Sequence, residues 1–295
     1  MKFKQKQTLK QKLDHINFKY YKKNDERDIP FEKLVASKQD DHTQLFSSFM
    51  TATSLDSNIY TYPKTILVIG NTGTMKTRFS EYIANGWWID GGVNNRYQVN
   101  QVTSMDHLID NYLDEIVKRG KKIDMKPLAW LDDISSINSE VANELLQVLS
   151  VSNPIVKSSK SGISLSLKDV NWIFTSVDSI DELNKKYKSN FVDCISEYVL
   201  SMKPYTNLSS DIKKAVIDFF IQETLDVFNI NDIYIEKVAI DYLINQSFTN
   251  QNIRDLSNVI HKTVGAHYRQ SLKDKPENNN DIRVLREDLK GLIGC

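Results

Sequence analysis

Short apolar runs alternate, through the middle of this chain, with stretches whose apolar residues recur every three or four positions. TILVI (65–69), YQVNQV (97–102), PLAWLDD (127–133) and KDVNWIFTS (168–176) have the length and the β-branched or aromatic character of strands. Between them, KTRFSEYIANG, MDHLIDNYLDEIVKRG and VANELLQVLS carry helical periodicity. Apolar strands that alternate with helices predict a parallel sheet covered on both faces. Beyond about residue 200 the strand pattern fades, and LSSDIKKAVIDFFIQETLDVF, DIYIEKVAIDYLINQSF and NIRDLSNVIHKTVGAHYRQSL all read as helices, so the last third predicts a small all-helical domain. KDKPENNND (273–281) reads as a polar loop before a short terminal helix. Residues 1–30 are rich in lysine and glutamine with a thin apolar stripe and read as a solvated helical arm. The expected organisation is a polar basic arm over 1–40, an α/β domain over 41–203 and a helical domain over 204–295.

Composition narrows the function classes. The 295 residues are 40% hydrophobic, enough for a sizeable core. Lys+Arg 38 balances Asp+Glu 38. No global field therefore marks a nucleic-acid or membrane binder, and such a partner would need a local patch. Two cysteines, Cys194 and Cys295, form no framework and fit a reducing compartment, with the cytoplasm as the expected location. There is no signal-peptide pattern and no apolar run of about 18 residues, so no membrane association is expected. The five histidines show no metal spacing with either cysteine.

The chemistry gathers at the strand ends. ILVIGNTGTMKT (66–77) is a strand that breaks into a glycine-containing turn and then a helix. In a phosphate-binding loop such a turn points successive backbone N–H groups inward, and the following helix adds the positive end of its dipole. Gly70, Gly73, Lys76 and Thr77 fit the G-x-x-x-x-G-K-[ST] frame, with Met75 in place of the last glycine. Gly70, Asn71, Thr72, Gly73, Thr74, Met75, Lys76 and Thr77, with Arg78 behind them, are the expected ATP or ADP contacts. Lys76 would reach the β- and γ-phosphates and the Thr77 hydroxyl would hold Mg²⁺. Met75 must turn its side chain away and accept a backbone conformation that glycine reaches most easily.

PLAWLDD ends a second strand in paired carboxylates, at a distance from Lys76 that leaves room for a helix, a strand and a further helix. Asp132 would complete the Mg²⁺ site, and Asp133 would orient or deprotonate the attacking water. Asp133 is one methylene shorter than the glutamate common at that point, which predicts slow hydrolysis. Two aspartates that merely cap the next helix are the plain alternative. A third strand end, WIFTS, brings Thr175 and Ser176 beside the first two, either to sense the γ-phosphate and position water or to satisfy a turn.

With these motifs in hand, the chain resembles AAA+ ATPases, and among them the third AAA+ module of dynein heavy chains. The resemblance covers about residues 64–262 and rests on the combination of AWLDDIS, NELLQVLS, SLKDVNWIFTS and NIRDLSNVI. It implies a P-loop α/β domain followed by a helical lid. It also implies slow Mg-ATP hydrolysis coupled to conformational change, neighbouring AAA+ modules or subunits in a ring, and a cytoskeletal-motor context. Arg254 would be the lid arginine that contacts the γ-phosphate, a role suited to a permanently charged fork; a surface arginine paired with Asp255 is the alternative. Two features depart from the pattern. The segment FVDCISEYV (191–199), where AAA+ proteins usually carry an arginine that reaches into the next module, has Cys194 and only Lys185, Lys186 and Lys188 upstream. The chain also has room for one module only. A stand-alone AAA+ ATPase of DNA replication or mobile elements, such as a helicase loader, is the alternative function. Nucleic acid is not indicated by any binding motif.

Overall fold

The structure is a computed structural model and describes residues 18–22, 65–80, 96–99, 128–151, 154–157, 162, 164–167, 170–248, 252–274 and 283–293. Its strands in chain order are β1 (Phe18–Lys22), β2 (Thr65–Ile69), β3 (Arg96–Val99), β4 (Leu128–Leu131), β5 (Ile155–Lys157), β6 (Ser164–Ser166), β7 (Asn171–Ser176), β8 (Tyr198–Ser201), β9 (Asp232–Glu236) and β10 (Arg283–Val284). The chain divides into two compact units, one spanning Val35–Lys203 and the other joining Met1–Leu34 to Pro204–Cys295.

The first unit holds a five-stranded sheet in the order β3-β4-β7-β2-β8, with every pair parallel. Its central strands read as unbroken apolar runs because both faces are covered: all six residues of β7 and the first four of β2 are buried. Strands expected at 65–69, 97–102, 127–133 and 168–176 are all present as β2, β3, β4 and β7. The helix Ser139–Leu149 starts where the Asn138 side chain accepts a hydrogen bond from the Val141 N–H at 2.8 Å. It buries Val141, Ala142, Leu145, Val148 and Leu149, one face at helical spacing. That face packs into the core with Leu131, Trp172, Phe174, Phe191 and Ile195. The Trp172 and Phe174 rings lie parallel, 6.0 Å between centroids.

Three strands of this unit had no clear sequence signal. β8 closes one edge of the sheet against β2, and β5 with β6 forms an antiparallel pair between the helix Ser139–Leu149 and β7. The helices Ile180–Lys186 and Ser189–Ile195 connect β7 to β8. Residues 81–86 of the expected helix KTRFSEYIANG and the expected helix over 105–120 lie outside the described residues.

The second unit is mostly helical, built on Ser210–Phe228, Lys237–Ile244, Ile253–Asp274 and Arg286–Ile293. The Gly265 backbone lies against the Phe228 ring, and a Cβ on Gly265 would come within 2.7 Å of that ring, so a larger residue would push the helices Ile253–Asp274 and Ser210–Phe228 apart. Two expectations are corrected here. DIYIE is a strand rather than the start of a helix, and FKYYK is a strand rather than part of a helical arm. The pair runs antiparallel, with β10 parallel on the other side of β9, making a three-stranded sheet within an otherwise helical unit. The physical reason is period two: Ile233 and Ile235 point to the core and Tyr21 joins them, while their neighbours face outward. Lys19 and Tyr21 also fix β1 to the helix Ser210–Phe228. The Lys19 ammonium lies 2.7 Å from both carboxylate oxygens of Asp218, and the Tyr21 hydroxyl donates to Asp218 Oδ1 at 2.5 Å. Residues 1–17 of the expected arm lie outside the described residues. No helix among the described residues is long and apolar enough to cross a membrane.

Candidate nucleotide site

Parallel pairing places the carboxyl ends of β4, β7 and β2 side by side along one edge of the sheet, the edge where open α/β folds bind ligands. Register brings Val68 opposite Thr175 and Leu131 opposite Phe174. The residues that follow each strand therefore meet: the loop 70–77 after β2, Asp132 and Asp133 after β4, and Thr175 with Ser176 at the end of β7.

The loop after β2 turns tightly. The Gly70 N–H donates to the Ser176 carbonyl at 3.2 Å, and a Cβ on Gly70 would come within 2.8 Å of both the Met202 carbonyl oxygen and Thr74 Oγ1. Only glycine fits that approach. Thr74 is buried and its hydroxyl donates to the Asn71 carbonyl at 2.8 Å, holding the turn. The helix then begins at residue 76, with the Phe79 N–H bonded to the Met75 carbonyl at 2.9 Å. Gly73 has φ 76° and Met75 has φ 72°, so Met75 occupies the left-handed backbone region at the position where the phosphate-loop pattern has glycine. Strain relief of about 1–2 kcal/mol, set against the entropic cost of glycine of about 0.5–1 kcal/mol, leaves Met75→Gly more stable by up to about 1.5 kcal/mol. Met75→Ile is expected to be destabilised, since a β-branched residue tolerates this region least. Chemical denaturation of both variants checks this, and a Met75→Gly that unfolds earlier than wild type would contradict it.

Lys76 is buried, and its ammonium donates to the carbonyl oxygens of Gly70 at 2.5 Å and Asn71 at 3.1 Å. This keeps the charge at the loop. Thr77 Oγ1 lies 3.4 Å from both carboxylate oxygens of Asp132. A hydroxyl beside a carboxylate is the hard-oxygen donor set that suits Mg²⁺, so Thr77 and Asp132 fit the ion expected of them. Asp132 is oriented in turn: the Thr175 hydroxyl donates to its Oδ1 at 2.6 Å and accepts from the Asp133 N–H at 2.7 Å. Thr175 thus joins the two aspartates.

Asp133 does not cap the short 3₁₀ turn Ile134–Ser136 with its side chain, which removes capping as its explanation. Its backbone is left-handed, φ 58° and ψ 69°, and its Oδ1 is buried with no hydrogen-bond partner. Left-handed backbone and an unsatisfied buried carboxylate oxygen at a strand end make Asp133 a candidate to meet a ligand or a proton. Ser176 departs from its expected place at the phosphate. Its hydroxyl sits 3.0 Å from Ser135 Oγ, accepts from the Asp178 N–H and lies 3.0 Å from the Asp178 carbonyl, so it closes the turn after β7. Ser135, which had no sequence signal, is the partner that ties this turn to the one after β4; its hydroxyl also accepts from the Val177 N–H.

Around the segment without an arginine, Cys194 is half-buried and its carbonyl accepts from the Thr65 hydroxyl at 2.9 Å. Burial, with Asp193 beside it, pushes the thiol above its usual range. Lys186 donates to the Ser135 carbonyl and lies 3.8 Å from Asp178, so it is engaged within its own unit. In the second unit, Arg254 is exposed in the first turn of the helix Ile253–Asp274 and forms no ion pair among the described residues. Pairing with Asp255 therefore does not account for it.

The phosphate loop, the carboxylate-bearing strand end and the sheet order, followed by a helical unit, define the P-loop AAA+ fold. Residues 65–193 match the family described as AAA domain (dynein-related subfamily), so the chain contains an AAA+ ATP-binding module. No curated protein sequence matches the chain. Among solved structures it is similar to NtrX from Brucella abortus in complex with ATP, with TM-score 0.62 and 16% identity over 88% of this chain and 55% of that one. The ADP complex of the same protein gives TM-score 0.58 and 15% identity over 87% and 54%. Domain III of the replication initiation protein DnaA from Thermotoga maritima gives TM-score 0.53 and 13% identity over 91% of this chain and 97% of that one. The chain spans about half the length of the NtrX chains it matches. None of these structures is a dynein, so the dynein likeness rests on the family description.

Proposed function

We propose that this protein is an AAA+ ATPase that binds Mg-ATP at residues 70–78, hydrolyses it slowly and works as part of a ring of AAA+ units. The observation that carries the reading is the convergence of Lys76, Thr77, Asp132 and Asp133 on the carboxyl ends of three adjacent parallel strands, with Thr175 bonded to both aspartates. Lys76 leaves its loop carbonyls for the β- and γ-phosphate oxygens. Thr77 and Asp132 hold Mg²⁺, which when bound offsets phosphate charge. Asp133 accepts a proton from the water whose oxygen attacks the γ-phosphorus as the bond to the ADP oxygen breaks.

Turnover is slow in this reading for two reasons. The Asp133 carboxylate is one methylene short of the usual glutamate, and no arginine stands in 191–199 to serve a neighbour's site. An arginine supplied in trans is worth about 10³-fold or more in phosphoryl transfer. Arg254, exposed in its own unit, is proposed as the lid arginine, a role suited to a permanently charged fork.

Of the two settings for such a module, the likeness to replication initiator domain III along nearly the whole of both chains favours a self-assembling AAA+ protein of DNA replication or mobile elements. The dynein-related family match favours a regulatory module beside other AAA+ modules of a motor. Phosphate release from Mg-ATP, measured over a range of protein concentrations, separates them. We expect the rate per molecule to climb with concentration as copies assemble, and a flat rate would point to the regulatory module. A wild type that neither binds Mg-ATP nor releases phosphate would remove the ATPase reading altogether.

A further inference from the structure

Asp133 is aimed by its backbone alone. Its carboxylate makes no capping bond and its Oδ1 has no partner, so the direction of the side chain depends on what fixes residue 133 and the turn after it. On one side the Asp133 N–H is held by Thr175 Oγ1 at 2.7 Å. On the other, the turn 134–137 is held internally at the Asp133 carbonyl, which accepts from the Ser136 N–H at 3.1 Å and the Ser136 hydroxyl at 2.8 Å, and by a longer bond from the Ile137 N–H to the Ile134 carbonyl at 3.3 Å. Left-handed backbone at a residue other than glycine persists where the surroundings over-determine it, so residue 133 calls for a restraint from outside its own turn as well.

That restraint comes from the end of the helix Ile180–Lys186. The buried Tyr187 hydroxyl lies 2.9 Å from the Ile134 carbonyl oxygen and 2.8 Å from that of Ile137, and Lys186 donates to the Ser135 carbonyl between them. Three carbonyls of one turn thus face donors from two consecutive residues about fifty positions away in sequence, the single Tyr187 proton being shared between those of Ile134 and Ile137. The Tyr187 ring is itself fixed, edge-on to Phe191 with centroids 5.5 Å apart. Burial, with Asp178 and Asp133 nearby, pushes its phenol up to about 12, so the hydroxyl remains a donor across the working pH range.

We propose that Tyr187 and Lys186 are positioning residues for Asp133: by clamping the 134–137 turn they set the rate of ATP hydrolysis without contributing to nucleotide affinity. The proposal rests on the ATPase reading above. It also gives the helix Ile180–Lys186 a hold on the catalytic turn, since any movement of its last residues moves the carbonyls beside Asp133.

The test is Tyr187→Phe, which removes one oxygen and keeps the packed ring. Single-turnover hydrolysis and Mg-ATP affinity are measured for wild type, Tyr187→Phe, Asp133→Asn and the double variant. We expect Tyr187→Phe to lose about tenfold in hydrolysis rate, as a displaced catalytic group does, with ATP affinity within about twofold of wild type. In the Asp133→Asn background, where there is no base left to aim, it should change nothing further. Lys186→Met repeats the measurement if Tyr187→Phe does not fold, and Lys186→Arg should restore the rate by keeping a donor at the Ser135 carbonyl. An unchanged rate in Tyr187→Phe, or the same loss with and without Asp133, overturns the proposal and leaves the ATPase reading intact. A wild type that binds no nucleotide overturns both.

Discussion

Asp133→Asn is expected to lower phosphate release from ATP by about 100-fold or more, the scale of a lost general base, while Mg-ATP affinity stays within about threefold of wild type. The asymmetry follows from the geometry. Asp132, not Asp133, faces the Thr77 hydroxyl, and the Asp133 carboxylate has an oxygen that is buried yet bonded to nothing. An amide in its place keeps the shape but cannot take a proton from water. Because the backbone N–H of residue 133 still bonds to Thr175, the turn should survive the change. Isothermal titration with Mg-ATP and a phosphate-release assay separate the two quantities. A variant that loses affinity and rate together would show that Asp133 holds the nucleotide or the ion instead. Unaltered turnover would show that the proton goes elsewhere.

Lys76→Ala should weaken ATP binding by about 10- to 100-fold, the equivalent of the 1.5–3 kcal/mol of a charged hydrogen bond, and weaken ADP less. The loss for ATP exceeds that for ADP because the lysine is expected to touch both the β- and the γ-phosphate. The buried ammonium now sits 2.5 Å from the Gly70 carbonyl, so its removal also takes a restraint from the loop, and a thermal melt should accompany the titration. If ATP and ADP lose affinity equally, the contribution of Lys76 is to the shape of the loop and not to the γ-phosphate. If neither changes, residues 70–77 are only a tight strand-to-helix turn.

Some of this site is legible residue by residue. Gly70, Lys76, Thr77 and the Asp132–Asp133 pair stand out because their spacing is imposed by a ligand of fixed size, and the strands that carry them are apolar along their length. Thr175 is visible only as a polar strand end, and its bonds to both aspartates follow from sheet order. Ser176 carries the same kind of signal but spends its hydroxyl on the turns beside it. Ser135 and Tyr187 are not legible at all, since a serine in a turn and a tyrosine after a lysine pair resemble any others. In the second unit, DIYIE runs directly into the helix Lys237–Ile244, and that longer pattern hides the period of two in its five residues. FKYYK reads as part of a basic arm because its partner strand is some two hundred positions away.

The sequence by itself determined the class of fold and the phosphate-loop pattern, because strand and helix periods and the spacing of Gly70, Lys76 and Thr77 are local properties of the chain. The tertiary structure alone decided which strand ends meet, that Met75 and Asp133 sit in left-handed backbone, and that Thr175, Lys186 and Tyr187 bond to the backbone at and after Asp133. Those facts depend on strand order and on hydrogen bonds between residues some forty to fifty positions apart. No local pattern encodes such contacts, because they exist only once the sheet has closed and its edges have been brought together.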